Sequence, residues 1–280
     1  MSLTSTAAPP RETLLCIHAS AVTGRAFKAL AAQLPHLNVL AFDRLGCASE
    51  RPWLPGMRAP LLAEAEHFLP VLQAHPEGVH VFGHSFGGAV ALEIALRFPE
   101  RVKSLTVYEP VRFAWLFDAP LERAADLQAA SQVLHVGRSV MQWVHAGRQA
   151  DAAERFVDYW SGEGTWAQMD ARRREGVIAT MPKVAAEFDA AFNDRTPLNA
   201  LWSLSMPLCF MGGDASPASV QCIVRLMGEC AGHARREQLR GLGHMAPVTH
   251  AEQVARRLPR WLRAPEGVQA TEHAAVPMAA

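Results

Sequence analysis

Residues 79–88, Val-His-Val-Phe-Gly-His-Ser-Phe-Gly-Gly, are the most informative stretch of this chain. A short apolar run leads into a G-x-S-x-G pattern centred on Ser85. Apolar side chains then recur at helical spacing, at Val90, Ile94 and Phe98. This order predicts a strand, a sharp glycine-dependent turn and a helix, an arrangement that lifts a serine hydroxyl to where a base can reach it. The stretch therefore predicts nucleophilic catalysis by Ser85 and leaves the substrate open.

The composition narrows the classes of protein that this chain fits. It has 280 residues with 27 Lys plus Arg and 27 Asp plus Glu, so the formal net charge is zero. This balance indicates neither a nucleic-acid nor an acidic-membrane partner, so we expect a small-molecule substrate and leave a homodimer open. The five cysteines form no C-x-x-C pair, and the N-terminus does not resemble a signal peptide, which together favour a cytoplasmic location. No apolar run reaches the ~20 residues of a spanning helix.

Short apolar strands alternate with amphipathic helices over most of the chain. Strands are predicted at Thr13–His18, Asn38–Phe42, Val79–Gly83, Val102–Tyr108, Pro207–Met211 and Arg235–Leu239. Helices are predicted between them and at Ala251–Leu262. The alternation predicts the α/β class, with a doubly wound, mostly parallel sheet and helices on both faces. Right-handed crossovers would then place the loops that carry the chemistry at the carboxyl ends of the strands.

One long segment interrupts this alternation. Residues 111–205 contain only predicted helices, among them Leu121–His135, Ser139–Ala146, Trp166–Met181 and Lys183–Phe192, and they are rich in Trp, Phe and Met. We expect this segment to form a helical cap, or lid, over a core built from residues 1–110 and 206–264. Residues 265–280 mix Ala, Pro, Glu and Gly, and they are predicted to be a flexible tail.

A reactive serine needs a base, and His244 has the best setting among the twelve histidines. It lies in Gly241-Leu242-Gly243-His244, directly after the last predicted strand. Its rivals are His18, His84, His233 and His250.

The base in turn needs a carboxylate that orients it, and two candidates lie between Ser85 and His244 in the sequence. Asp214 follows a predicted strand in Met211-Gly212-Gly213-Asp214 and gives the chain order Ser, Asp, His. Glu109 ends the strand that follows the serine. We favour Asp214 and keep Glu109 as its competitor.

An acyl-transfer site also needs N–H donors for the oxyanion that forms. One candidate is the backbone amide of Phe86, next to the serine and at a helix N-terminus. The second is expected from the loop after the first strand, with the amide of Ser20 favoured over that of Ala19.

Together these motifs resemble the α/β-hydrolase fold family over most of Thr13 to Leu262. Residues 83–88 resemble its serine turn, His18-Ala19 its oxyanion loop, Asp43-Arg44-Leu45-Gly46 its D-x-x-G turn, and residues 241–244 its histidine loop. Three features depart from the family pattern. Ala19 replaces a glycine, Cys47-Ala48-Ser49 shortens a G-x-G-x-S turn, and the usual place of the acid falls on Ser216.

The resemblance implies a serine hydrolase, an esterase-type enzyme that uses a Ser-His-acid triad and an acyl-enzyme on an ester, a thioester or a related carbonyl substrate. The Trp, Phe and Met content of residues 111–205 indicates a small substrate with an apolar or aromatic group. The resemblance implies no metal or cofactor. Dehalogenases and epoxide hydrolases of the family carry aspartate where Ser85 stands, so they are disfavoured. Carbon–carbon bond hydrolysis and a cofactor-independent lyase or oxygenase remain enzymatic alternatives. A ligand-binding or weakly active protein that lacks an efficient acid is the alternative of another class.

Overall fold

The computed structural model describes residues 11–47, 53–54, 56–118 and 123–262. The predicted tail, residues 265–280, lies outside them, as do Ala48 and Ser49 of the shortened turn. The described residues form six strands: β1 Thr13–Ile17, β2 Asn38–Leu40, β3 Val79–His84, β4 Val102–Tyr108, β5 Leu208–Gly213 and β6 Arg235–Leu239.

All neighbouring strands pair in parallel, in the order β2-β1-β3-β4-β5-β6. The predicted α/β class and the parallel, doubly wound sheet are therefore confirmed. The chain leaves β1 toward one edge of the sheet and returns to build β3 on its other side. The loops that follow β1 and β3 consequently diverge at the carboxyl edge, which is where open α/β sheets bind their ligands.

Alternation along the strands builds an apolar layer on each face of the sheet. Leu15 and Ile17 of β1 belong to one buried cluster, whereas Leu14 and Cys16 belong to the other. This division follows from the two-residue period of a strand, because successive side chains point to opposite faces. The strands therefore pack between two layers of helices.

Twelve α-helices lie in the described residues. Those of the sheet layers are α1 Lys28–Ala32, α2 Leu61–His67, α3 Leu69–Ala74, α4 Phe86–Arg97, α10 Ala218–Cys230, α11 Ala246–Thr249 and α12 Ala251–Arg257. Those inserted between β4 and β5 are α5 Trp115–Asp118, α6 Ala124–His145, α7 Gln149–Ser161, α8 Thr165–Gln168 and α9 Ala171–Asn193. Within the described ranges, no helix is at once long and apolar enough to cross a bilayer.

Two of the inserted helices are longer than the sequence predicted. The predicted break between His135 and Ser139 is wrong, because α6 runs through Gly137 without interruption. A Cβ at Gly137 would lie 2.4 Å from the ring of Phe192, so this glycine permits close packing of α6 against α9. The predicted break at Pro182 is also wrong, because α9 continues through that proline.

Candidate active site

Ser85 occupies a sharp turn between β3 and α4. Its backbone angles are φ 57° and ψ −122°, an unusual conformation for a residue with a side chain. The amide of Ser85 donates to the carbonyl of Tyr108 at 3.0 Å, and its own carbonyl accepts from Gly88 at 2.9 Å. A Cβ at Gly83 would lie only 2.5 Å from the carbonyl oxygen of Gly87, so the turn requires glycine there. Neighbouring backbone therefore holds the serine in a conformation that costs about 1–3 kcal/mol.

His244 lies within hydrogen-bond distance of this serine. Its Nε2 is 2.9 Å from the Ser85 hydroxyl oxygen, and the imidazole is almost completely buried. The residue lies on the loop that follows β6 and precedes α11. The loop that the sequence indicated therefore brings His244 to the carboxyl edge that also carries the serine.

Glu109 is the carboxylate that contacts His244. Its Oε2 lies 2.6 Å from Nδ1 of the imidazole, and its Oε1 accepts from the backbone amide of Gly213 at 2.6 Å. The side chain is fully buried. An ionised carboxylate is an acceptor only, so Nδ1 carries the proton and Nε2 is free to accept from the Ser85 hydroxyl. The contacts therefore run unbroken from Ser85 through His244 to Glu109.

Asp214 does not contact the imidazole, so the preference for it over Glu109 requires correction. Its carboxylate accepts from the backbone amide of Gly241 at 2.6 Å, and the residue is exposed. The bond joins two residues that are 27 positions apart, so it connects the loop after β5 to the loop after β6. In its contacts the residue therefore links two loops and does not orient the base.

Backbone conformation explains why Glu109 reaches the histidine. The residue directly follows β4 and has a φ of 47°, and its amide donates to the carbonyl of Met211 at 3.0 Å. A positive φ costs energy at any residue other than glycine, so no sequence pattern predicts one at a glutamate. The available signal was its position at the end of the strand that follows the serine.

His84 packs against His244, the candidate base, and hydrogen-bonds to its backbone. Its Nε2–H donates to the carbonyl oxygen of His244 at 2.8 Å, and the two ring centroids are 5.1 Å apart. Burial, together with the neighbouring His244, keeps the pKa of His84 well below its usual value. A neutral His84 suits this position because a second positive charge would oppose protonation of His244. Of the other rivals, His233 and His250 are both exposed.

The loop after β1 packs tightly on the first turn of α4. A Cβ at Gly87 would lie 2.2 Å from the carbonyl oxygen of Ile17 and 2.4 Å from that of His18. This close approach brings Ala19 and Ser20 to the cleft that Ser85 also lines. Phe86 is the first residue of α4, so its N–H has no acceptor within the helix. The candidate oxyanion donors therefore come from two segments that meet beside the serine.

Four charged side chains are buried behind this loop, and only one of them, Arg44, belongs to a motif that the sequence indicated. Arg44 and Glu64 come from the sheet domain, whereas Lys183 and Glu187 come from α9. Nη2 of Arg44 is 2.8 Å from Glu187, and Nη1 is 3.2 Å from Glu64. Nζ of Lys183 lies 2.6 Å from Glu64 and 3.0 Å from Glu187. The residues are too far apart in sequence for a local pattern to reveal this cluster.

A cleft of about 1300 Å³ opens over the serine and the histidine. Its walls come from both the sheet domain and the inserted helices, and the apolar part of the inserted wall includes Trp143, Phe156, Trp160, Met169 and Val177. The indole of Trp160 is stacked on the imidazole of His244. Within the part of the chain that the structure describes, no three His, Cys, Asp or Glu side chains converge as metal ligands would.

Comparisons with known proteins agree with this geometry. Residues 14–257 match the model of the alpha/beta hydrolase family. The lipase LipV of Mycobacterium tuberculosis is 36% identical over 100 residues, which are 35% of this chain and 36% of that lipase. The chain thus spans about a third of the length of the curated relatives it matches.

Two solved structures share the fold at low identity. A hydrolase from Pseudomonas aeruginosa superposes with a TM-score of 0.67 at 22% identity, over 89% of each chain. A thermophilic esterase from Thermogutta terrifontis gives a TM-score of 0.68 at 19% identity, over 92% of this chain and 96% of that one. The family model, the parallel sheet and the serine turn at its carboxyl edge agree, and the chain belongs to the alpha/beta hydrolase family.

Proposed function

We propose that this protein is a serine hydrolase that cleaves an ester, a thioester or a related carbonyl compound through an acyl-enzyme. The observation that carries the proposal is the chain of short contacts from Ser85 to His244 to Glu109. The contact between Ser85 and His244 provides a general base for the nucleophile. The contact between His244 and Glu109 orients that base and stabilises the imidazolium that forms.

The reaction follows from the position of each group. His244 Nε2 takes the hydroxyl proton as the Ser85 oxygen attacks the substrate carbonyl carbon. The amides of Ser20 and Phe86 donate to the oxyanion of the tetrahedral intermediate. His244 then gives its proton to the leaving oxygen or sulfur, and the acyl group stays on Ser85. In the second half, His244 removes a proton from water, which attacks the acyl carbon. As the C–O bond to Ser85 breaks, His244 gives that proton to the Ser85 oxygen, which releases the acid and regenerates the free hydroxyl.

The cleft favours a small substrate with an apolar or aromatic group. Trp143, Phe156 and Trp160 present aromatic surface beside the serine, and Met169 adds a flexible apolar contact. In this proposal the inserted helices act as a cap whose side chains select the substrate. His244 must protonate the leaving group, so we expect that group to lie on the Trp160 side of Ser85.

The alternative functions require different contributions from Ser85, His244 and Glu109. A binding protein without an efficient acid would lack a carboxylate at His244, and the 2.6 Å contact with Glu109 counts against it. A lyase or oxygenase that needs only the histidine would survive the loss of the Ser85 hydroxyl. Carbon–carbon bond hydrolysis would use the same three residues and differs only in its substrate.

The test is hydrolysis of p-nitrophenyl acetate and butyrate by the parent and by Ser85→Ala and His244→Asn. We expect both variants to lose at least about 10³-fold in kcat. The matched control is His233→Asn, which changes an exposed histidine and should retain parental activity. Full activity in Ser85→Ala would contradict the proposal.

A further inference from the structure

Arg44 contacts the candidate oxyanion loop from the side opposite to the cleft. Its Nε donates to the carbonyl of His18 at 2.9 Å, and its Nη2 donates to the carbonyl of Ala19 at 3.3 Å. Its backbone amide donates to Nε2 of His18 at 3.0 Å. The guanidinium also lies 4.9 Å from the ring centroid of Phe86. One buried arginine therefore contacts both segments that would supply oxyanion donors.

Peptide geometry makes these contacts directional. In a trans peptide the C=O and the N–H of one unit point in opposite directions. The carbonyl of Ala19 shares its peptide unit with the amide of Ser20, and the carbonyl of His18 shares its unit with the amide of Ala19. By holding the two carbonyls, Arg44 turns the amides of Ser20 and Ala19 away from itself. Both residues line the cleft that contains Ser85.

The inserted helix α9 supplies an ion-pair partner to Nη2 of Arg44, the nitrogen that also donates to the carbonyl of Ala19. Glu187 lies 2.8 Å from Nη2 of Arg44 and 3.0 Å from Lys183 Nζ. Burial alone would raise the pKa of Glu187, but the charges of Arg44 and Lys183, with a contribution from the Ser20 hydroxyl, lower that pKa to about 2. The carboxylate is therefore ionised at neutral pH, and it forms ion pairs with both the arginine and the lysine.

We propose that Arg44 is a positioning residue of the oxyanion hole and that Glu187 of α9 fixes its alignment. This inference rests on the proposed hydrolase function. The planar guanidinium presents its donors in a fixed fork, so the ion pairs with Glu187 and Glu64 restrict where the donors to the two loop carbonyls lie. The inserted segment thus contributes to catalysis behind the oxyanion loop as well as to the wall of the cleft.

The charges of the cluster allow a variant that keeps it balanced. Two cations face two carboxylates, so removing one partner leaves an uncompensated buried charge and endangers folding. The double variant Lys183→Met/Glu187→Met removes one charge of each sign and leaves Arg44 paired with Glu64. Arg44→Lys keeps the positive charge but loses the planar guanidinium and its set of N–H donors. The control is Glu93→Gln, which disturbs another buried pair, that with Arg112 at 2.7 Å.

The experiment measures kcat and KM on p-nitrophenyl butyrate, inhibition by a trifluoromethyl ketone, and unfolding in urea. The hemiketal of that inhibitor carries its oxyanion in the proposed hole, whereas the substrate ground state does not. We expect Arg44→Lys and the double variant to lower kcat by about 10- to 100-fold with little change in KM. The inhibition constant should rise by a similar factor, because only interactions with the oxyanion are weakened.

Each outcome separates this inference from the function on which it rests. Folded variants that keep the parental kcat and inhibition constant, in an active parent, would overturn the positioning role alone. Equal losses of kcat in Glu93→Gln would show a general effect of buried-pair disruption and would also overturn it. A parent that hydrolyses no ester would contradict the proposed function, and with it the oxyanion role of this loop.

Discussion

The indole ring of Trp160 stacks on the imidazole of His244, with ring centroids 4.1 Å apart and planes inclined by 29°. Trp160 belongs to α7 of the inserted segment, whereas His244 lies on a loop of the sheet domain. The ring of His84 lies 5.1 Å from the same imidazole. The candidate base is thus enclosed by aromatic surface, and an aromatic face would attract the imidazolium that His244 becomes in the proposed reaction.

Removing the indole should slow the chemical step. A desolvated cation–π contact contributes about 1–2 kcal/mol, so Trp160→Ala is expected to lower kcat by about 5- to 30-fold. Trp160→Phe keeps an aromatic face and should recover most of the rate. Steady-state kinetics on a p-nitrophenyl ester provide the measurement. The control is Trp202→Ala, at a tryptophan that is 71% exposed. Equal rates for the parent and Trp160→Ala would contradict a role for the stack.

The two candidate acids should respond differently to loss of charge. Glu109→Gln removes the negative charge and leaves one acceptor oxygen for two donors, the Gly213 amide and Nδ1 of His244, so kcat should fall by about 10³-fold or more. Asp214→Asn leaves the contacts of His244 unchanged, because Asp214 bonds to the amide of Gly241. That variant should stay within a few-fold of the parent. A larger loss in Asp214→Asn than in Glu109→Gln would restore the preference suggested by sequence.

Buried neutral histidines predict a loss of stability in mild acid. Burial keeps the pKa of His84 well below 6.5, and burial with the nearby Arg44 lowers that of His18 to about 3. Below about pH 6.5 the unfolded chain binds protons at these positions and the native state does not. The free energy of unfolding should therefore be greatest above that pH and should fall as the pH drops, approaching ~1.4 kcal/mol per pH unit for each group.

Urea unfolding between about pH 7 and about pH 5 measures this dependence, above the range where most carboxylates titrate. His84→Gln removes one of the titrating groups and should make the dependence shallower, whereas His233→Asn, at an exposed position, should leave it unchanged. A stability that does not vary over this window would contradict the burial of neutral imidazoles.

Replacing two helical glycines, Gly87 and Gly176, with alanine should have opposite effects on the free energy of unfolding. At Gly87 a Cβ would lie 2.2 Å from the carbonyl oxygen of Ile17, so Gly87→Ala must push α4 away from β1. We expect a cost of about 3 kcal/mol and a loss of activity, because the amides beside Ser85 move. At Gly176 in α9 nothing lies within 4 Å of a Cβ, and Gly176→Ala should stabilise the protein by up to ~1 kcal/mol. Thermal unfolding and ester hydrolysis measure both; a Gly87→Ala variant of parental stability would contradict the close approach.

The sequence predicted the parts of the site that depend on local patterns. A strand, a glycine turn and a helix located Ser85, and a glycine-flanked loop after the last strand located His244. Both signals are short-range, because a tight turn favours particular residue types at the few positions that form it. The order of strands and helices likewise predicted the sheet.

The remaining features depend on contacts between distant segments. Glu109 reaches His244 through a positive φ that its own residue type disfavours. Arg44 and Glu187 are 143 positions apart, by their numbering, and form an ion pair across the boundary of the inserted segment. The sequence predicted separate helices ending at His135 and beginning at Ser139, whereas Gly137 between them allows α6 to pack closely against Phe192. Each of these three features depends on packing between distant segments, which local patterns in a single sequence do not reveal.

The most direct test of the central claim, that His244 activates Ser85, is the intact mass of the protein after exposure to a fluorophosphonate. The parent should gain the mass of one adduct, and both Ser85→Ala and His244→Ala should gain none. The first variant lacks the attacking oxygen, and the second lacks the base 2.9 Å from it. An unmodified parent, or an adduct that persists in Ser85→Ala, would contradict a base-activated Ser85.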